Sequence, residues 1–235
     1  MIKAVFFDFY GTLAGWRPSV SEIQRTAAAT ENLQVDTDRI AQAYPAANAL
    51  LNQANAESLL RDRAEADQNA FFARFEQVLL ANAGYDVSIE VAWAIWVRVR
   101  ATPKVFSLYP DSLPALEEMH REGLTLGVIS NIGMELPDHI RDLELDAYVS
   151  VMVSSGEVGV AKPHPAMFEL ALRKAGTSPA EAIHVGDGYE SDVVGARDAG
   201  LHAIYLTREG EAAPSREVTV IRTLAEVRQH VTQLG

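Results

Sequence analysis

The chain contains no cysteine. Disulfides, thiolate nucleophiles and cysteine-based zinc sites are therefore excluded. Lysine and arginine are scarce, 20 against 32 aspartates and glutamates, and the formal net charge over 235 residues is −12. A long nucleic-acid groove needs clustered cations to neutralise phosphates, so no nucleic-acid partner is expected. No apolar run approaches the roughly 20 residues a bilayer crossing requires, so no membrane partner is expected either. The six histidines are scattered, with no pair spaced as metal ligands on one helix, and read as surface or packing residues. Internal repeats and low-complexity tracts are lacking. The opening "MIKAVFFDFY" runs directly into an apolar strand rather than a signal peptide. The expectation is a cytoplasmic protein, monomer or homodimer.

What the chain does have is a hydrophobic fraction of 48%, enough for one large domain or for a core carrying a smaller insert. Residues 2–8 read as a buried strand. The next ninety or so residues are rich in Ala, Gln, Glu, Asn and Leu. Ser19 followed by Glu22 is a capping box that opens a helix. Further amphipathic helices run to about Gly84, and "SIEVAWAIWVRVR" continues as another, with Trp93 and Trp96 read as packing residues on or near its apolar face. From about residue 103 strands and helices alternate. Asp111 opens a helix that Gly123 closes, and "LTLGVIS" is a strand ending at Ser130. "AYVSVMVSS" is another strand, and Pro165 starts a helix. Ser178 to Glu181 is a second capping box before strand "AIHVGD". "SDVVGARDAG" reads as a helix, with Gly195-Ala196 permitting close packing on the sheet, and "HAIYL" as a strand. This alternation predicts an α/β fold, a doubly wound, mainly parallel sheet built from residues 1–14 and 103–235. An all-helical module, residues 15–102, is inserted after the first strand. That is the carboxyl side of the strands, where such sheets bind ligands.

The strands end on a telling set of residues. The first delivers Asp8, the second Ser130-Asn131, and a loop after the third carries Lys162. The fourth ends at Gly186-Asp187, with Asp192 five residues on. A parallel sheet gathers such ends on one edge. Asp8, Asp187 and Asp192 in one cleft would repel one another, and a hard divalent cation, Mg2+ above all, relieves that. Lys162 adds a second positive centre, and the pair suits a phosphate dianion. Thr12, Ser130 and nearby backbone N–H groups are candidates to hold phosphate oxygens, and Gly11 permits a sharp turn. Taken singly, the same residues have plainer readings: Asp192 as a helix cap, Lys162 as a surface charge, His164 as exposed or one step removed from the chemistry.

Together these segments resemble the haloacid dehalogenase (HAD) superfamily, in the branch whose helical cap follows the first strand. "FFDFYGTL", "GVISN", "GVAKPHPAMF" and "HVGDGYESDVVGARDAG" resemble its four motifs in order. The resemblance implies a hydrolase in which Asp8 is the nucleophile and forms a covalent intermediate that water then hydrolyses. Thr12, Ser130 and Asn131 would hold the transferred group. Lys162 would hold the nucleophile and neutralise charge. Asp187 would bind Mg2+ with Asp8 and the backbone carbonyl of Tyr10, and Asp192 would assist. The substrate would be a small phosphate ester. Family phosphatases usually carry a second Asp two residues after the nucleophile, as general acid and base. Here that position is Tyr10, a phenol of pKa about 10 and a poor base at neutral pH. Asp-x-Tyr-Gly-Thr resembles instead the opening motif of the 2-haloacid dehalogenases, whose halide leaves without a proton. In that reaction Arg39 is a candidate partner for substrate carboxylate or halide. The paired acids Asp187 and Asp192 favour Mg2+ and phosphoryl chemistry. The expected function is a Mg2+-dependent phosphomonoester hydrolase. A 2-haloacid dehalogenase is the alternative, and a catalytically weak phosphometabolite-binding protein the third reading.

Overall fold

The computed structural model describes residues 1–208 and 217–234. The chain divides into two compact units, Met1–Gly15 with Phe106–Gly235, and Trp16–Val105.

The first unit is built on six parallel strands: β1 (Ala4–Phe7), β4 (Thr125–Ser130), β5 (Val149–Ser154), β6 (Ala182–Gly186), β7 (His202–Leu206) and β8 (Thr219–Ile221). Their order across the sheet is β5-β4-β1-β6-β7-β8. β1 lies between β4 and β6, with Phe7 opposite both Val128 and Val185. From β1 the chain winds first toward β5 and then back toward β8, so order reverses at β1. In such sheets ligands bind beyond the carboxyl ends of the strands at that switch point.

Strand alternation sends β1 side chains to two cores. Val5 and Phe7 join Leu116 and Met119 of α5 (Ser112–Arg121), Leu136 and Ile140 of α6 (Leu136–Asp142), and Val227 of α10 (Val227–Leu234). Ala4 and Phe6 join Met167 and Phe168 of α8 (Pro165–Ala175) on the other face. All four β1 residues are 0% exposed. Burying Val5, Phe6 and Phe7 supplies on the order of 6 kcal/mol of transfer free energy. That is of the same size as the cost of fixing the backbone of the strand, about 1–2 kcal/mol per residue, so β1 is stable only where its side chains are fully buried, at the sheet centre. Gly195, in the short helix α9 (Gly195–Asp198), lies against Pro163 and Phe168, where a Cβ would collide. It permits close packing, as its place in the sequence suggested.

The second unit holds α1 (Val20–Ala29), α2 (Thr37–Glu57), α3 (Glu65–Asn82) and α4 (Ile89–Ala101). Ser19 caps α1 in a complete capping box with Glu22. Ile23, Ile40, Phe75, Leu79, Leu80 and Ile95 form the centre of its core. Trp96 stacks on Phe72 at 4.4 Å between centroids. Arg39 is exposed and lies 4.7 Å over the Tyr85 ring. Among the described residues no helix is long and apolar enough to cross a membrane.

Two local features differ from the sequence expectation, and a third, Asp111 opening α5 as expected, adds to it. Residues 14–17 and 105–108 form β2 (Ala14–Arg17) and β3 (Val105–Leu108), a separate two-stranded sheet. Four-residue runs holding Gly15 or Ser107 are too short for periodicity to register. Asp111 stands at the start of α5 but its carboxylate makes no cap bond. It accepts from Arg208 and from the Leu224 N–H instead. The segment read as a helix from Ser191 begins as a π-helical turn over Tyr189–Val194 and turns α-helical only at Gly195. Such turns occur frequently at functional sites.

Candidate active site

Asp8 is the first residue past β1, and its N–H donates to Val185 O at 2.9 Å, holding it beside β6. The chain then folds tightly back. Phe9, fully buried, anchors the turn, and its carbonyl accepts from Leu13 N and Ala14 N at 2.9 Å each. Gly11 sits at φ +87°, with its Cα against the Asp187 carboxylate, so a side chain there would be both strained and obstructed. Thr12 Oγ1 donates to Asp187 Oδ1 at 3.0 Å. Tyr10 is half-buried, its ring edge-on to Phe106 at 6.3 Å.

The Lys162 side chain is 2% exposed, and its ammonium donates to Asp8 Oδ1 at 2.7 Å and Asp192 Oδ1 at 2.5 Å. Asn131 fixes the lysine's main chain: its Oδ1 accepts from Lys162 N at 2.7 Å and its Nδ2 donates to Lys162 O at 3.2 Å. The Asn131 amide is thus engaged with protein. Ser130, at the end of β4, is buried, and its hydroxyl accepts from Ile132 N at 3.3 Å.

Asp192 is the most heavily bonded of the acids. Its Oδ1 also meets His184 Nε2 at 2.9 Å, and its Oδ2 accepts from Gly188 N at 2.9 Å and Ser191 Oγ at 3.2 Å. The bond to Gly188, the residue preceding the π-helical turn, gives Asp192 a helix-start role as well as its place beside Lys162. His184 and Ser191 were not singled out in the sequence. The signal for His184 was present: a polar residue between Ile183 and Val185 in a fully buried strand must find a hydrogen-bond partner. Of the other candidates, His164 is exposed and its Nδ1 caps α8 by accepting from Ala166 N at 3.2 Å. Trp93 is half-buried on α4.

The structure therefore brings together two bonded sets, Asp8 with Lys162 and Asp192, and Thr12 with Asp187. One oxygen from each aspartate lies within 4.8 Å of the others. Burial raises the Asp8 carboxyl to about 6, only partly opposed by Lys162. Asp187 is raised well above the usual carboxylate range by burial, and then by the charges of Asp8 and Asp192. Burial also opposes ionisation of Asp192, but Lys162 and the His184 hydrogen bond outweigh it and hold this carboxyl below the usual range. Lys162 pays desolvation too, yet Asp192 and Asp8 more than compensate and keep it an ammonium. His184 is lowered by burial. The neutral ring fits the bonding, with Nε2–H on Asp192 and a buried Nδ1 that meets no donor.

One ammonium thus faces three carboxylates, two of which resist ionising. An oxygen-only donor set with unrelieved negative charge fits a hard divalent cation. Asp8, Asp187 and Asp192 are the side chains able to hold it.

A six-stranded parallel sheet with an acid–lysine cluster at its switch point defines an α/β protein of hydrolase type. The haloacid dehalogenase-like hydrolase model matches residues 2–200, and the chain belongs to that family. It is 37% identical over 126 residues to a phosphoserine phosphatase of Thermus thermophilus, a match spanning 50% of this chain and 49% of that one. Against a glyceraldehyde 3-phosphate phosphatase of Methanothermobacter thermautotrophicus it is 27% identical over 97% of this chain and 99% of the other. The fold is also that of a 2-haloacid dehalogenase from Pseudomonas syringae pv. Tomato, with a TM-score of 0.60 and 24% identity over 100% of both chains. Architecture alone does not separate the two chemistries.

Proposed function

We propose that the protein is a Mg2+-dependent hydrolase of small phosphomonoesters. The observation that carries this is the retention of three aspartates, Asp192 buried and Asp8 and Asp187 half-buried, with one oxygen of each within 4.8 Å of the others, beside a single lysine. A dehalogenating Asp8 needs no metal, and for it the neighbouring carboxylates would be a burden that raises its pKa. For phosphoryl transfer the same carboxylates are the natural cation ligands. Relatives named as phosphatases of phosphoserine and glyceraldehyde 3-phosphate support a small phosphate ester as substrate.

Asp8 attacks phosphorus: a bond forms from its carboxylate oxygen to phosphorus as the bond from phosphorus to the ester oxygen breaks. The departing alkoxide takes a proton from Tyr10 or water. Water then attacks the aspartyl phosphate and gives a proton to the phenolate or hydroxide left by the first step, the bond from phosphorus to the Asp8 oxygen breaks to restore the carboxylate, and inorganic phosphate leaves. Lys162 keeps Asp8 oriented and neutralises charge through the bond to its Oδ1. Thr12 and Ser130 line the transferred group, with Asn131 steadying Lys162 and Thr12 steadying Asp187. Mg2+, held by Asp8, Asp187, Asp192 and the Tyr10 carbonyl, would supply charge neutralisation for the phosphoryl oxygens. The helical unit, Trp16–Val105, serves as the substrate-selecting cap.

The second reading, a 2-haloacid dehalogenase, is favoured by Tyr10. One comparison separates them: p-nitrophenyl phosphate hydrolysis against chloride release from 2-chloropropionate, each with and without EDTA. EDTA-sensitive phosphate release is expected. Chloride release that persists in EDTA would overturn the ranking.

A further inference from the structure

The turn carrying Gly11 and Thr12 is held from behind by residues that have no place in the chemistry above. Arg208, just past β7, donates from Nη2 to Thr12 O at 2.6 Å and from Nε to Gly11 O at 3.3 Å. Its Nη1 donates to Asp111 Oδ2 at 3.0 Å, and its guanidinium lies 4.0 Å over the Tyr109 ring. Asp111 Oδ2 also accepts from Leu224 N at 2.8 Å. The next carbonyl, Leu13 O, accepts from Tyr109 N at 3.1 Å and from the buried Ser112 hydroxyl at 2.7 Å. Three successive carbonyls are therefore tied to one anchoring group, and Arg208 supplies two of the ties. A planar guanidinium with five donors suits this task, and an ammonium cannot reproduce it.

The front of the same turn meets Asp187, through the close approach of Gly11 and the Thr12 hydroxyl. We propose that Arg208 is a positioning residue: by clamping the Gly11 and Thr12 carbonyls it fixes the turn against Asp187 and so sets the geometry of the cation site. The proposal rests on the reading of the acid cluster as a Mg2+ site. Arg208 touches neither substrate nor cation. Its side chain is 20% exposed, as is that of Asp111, so the pair is not a deeply buried charge whose loss must unfold the protein.

The test compares wild type with Arg208→Gln and Arg208→Lys. Three quantities are read: amide hydrogen exchange of peptides covering residues 9–14, Mg2+ affinity by titration calorimetry, and p-nitrophenyl phosphate kinetics. In Arg208→Gln, exchange in residues 9–14 should quicken while α8 keeps wild-type protection, because the loosening is local. Misplacing a catalytic group by a fraction of an ångström is costly, so Mg2+ affinity and kcat should each fall about 10- to 100-fold, with KM changing far less. Arg208→Lys, which keeps the charge and one donor direction, should fall between. Were Arg208→Gln not to fold, Arg208→Lys carries the same comparison at smaller amplitude. Wild-type exchange in residues 9–14, unaltered Mg2+ affinity, or exchange quickened uniformly across the protein would each overturn the clamp. Failure of the underlying reading looks different: wild type itself would take up no Mg2+.

Discussion

At Asp8 the surroundings impose a charge that the fold alone does not welcome. Its carboxyl titrates at about 6 rather than 3.8 because burial outweighs the help from Lys162. Above pH 6 the ionised group therefore costs the metal-free protein stability. Asp8→Asn should abolish phosphatase turnover, by on the order of a thousandfold or more, and should raise the Tm measured in EDTA at pH 7.5. An active Asp8→Asn enzyme would remove Asp8 as the nucleophile. Tyr10 sets the second expectation at this scale. If the site lacks a carboxylic acid for the leaving group, Tyr10→Asp should raise turnover of alkyl phosphates more than that of p-nitrophenyl phosphate, whose phenolate needs little protonation. Equal, unimproved rates on both substrates would remove the missing-acid explanation. Asp8, Lys162 and Asp187 stand out in the sequence because strand ends are where a parallel sheet collects its chemistry. For His184 the sequence shows only that a buried polar residue needs a partner, and neither that partner nor the bonding of Asn131 is legible, because they lie eight and thirty-one residues away.

Among the elements, α1 and α3 share an unusual buried pair. Glu76 is 0% exposed and accepts from Gln24 Nε2 at 2.8 Å. Glu76 Oε1 and Gln24 Oε1 meet no donor. Burial raises this carboxyl to about 7, opposed only by the Gln24 bond. A raised folded-state value means the contribution to stability is fully present below about 4.5 and lost as pH climbs through about 7. Glu76→Gln removes that dependence and restores a donor. The variant should therefore match wild type near pH 4 and exceed it by on the order of 3 kcal/mol at pH 8, as read from denaturant unfolding at the two pH values. A gap that does not widen with pH would contradict a buried titrating carboxyl. At this scale the sequence was readable where local chemistry decides, as in the Ser19–Glu22 box and the Pro165 helix start. It was opaque where a distant partner wins. Asp111 has the composition of a helix cap, but Arg208 and the Leu224 N–H claim its carboxylate.

For the whole molecule, the alternation of strand and helix after residue 103 made the parallel sheet legible. β8 escaped notice because three residues, one of them a threonine, carry too little pattern. The assembled acid cluster predicts a ligand-linked stability. Saturating MgCl2, at about a hundred times Kd, should stabilise the protein by about 2.7 kcal/mol. EDTA should reverse the rise in Tm, and Asp187→Asn should show little of it. A Tm indifferent to divalent ions would contradict a cation site there. One anchoring bond has a wider consequence. Leu13 O and Tyr109 N, 96 positions apart, meet at 3.1 Å within the six-stranded unit. The chain thus departs and returns at neighbouring points, and a different excursion could be spliced between them without rerouting any strand of the six-stranded sheet.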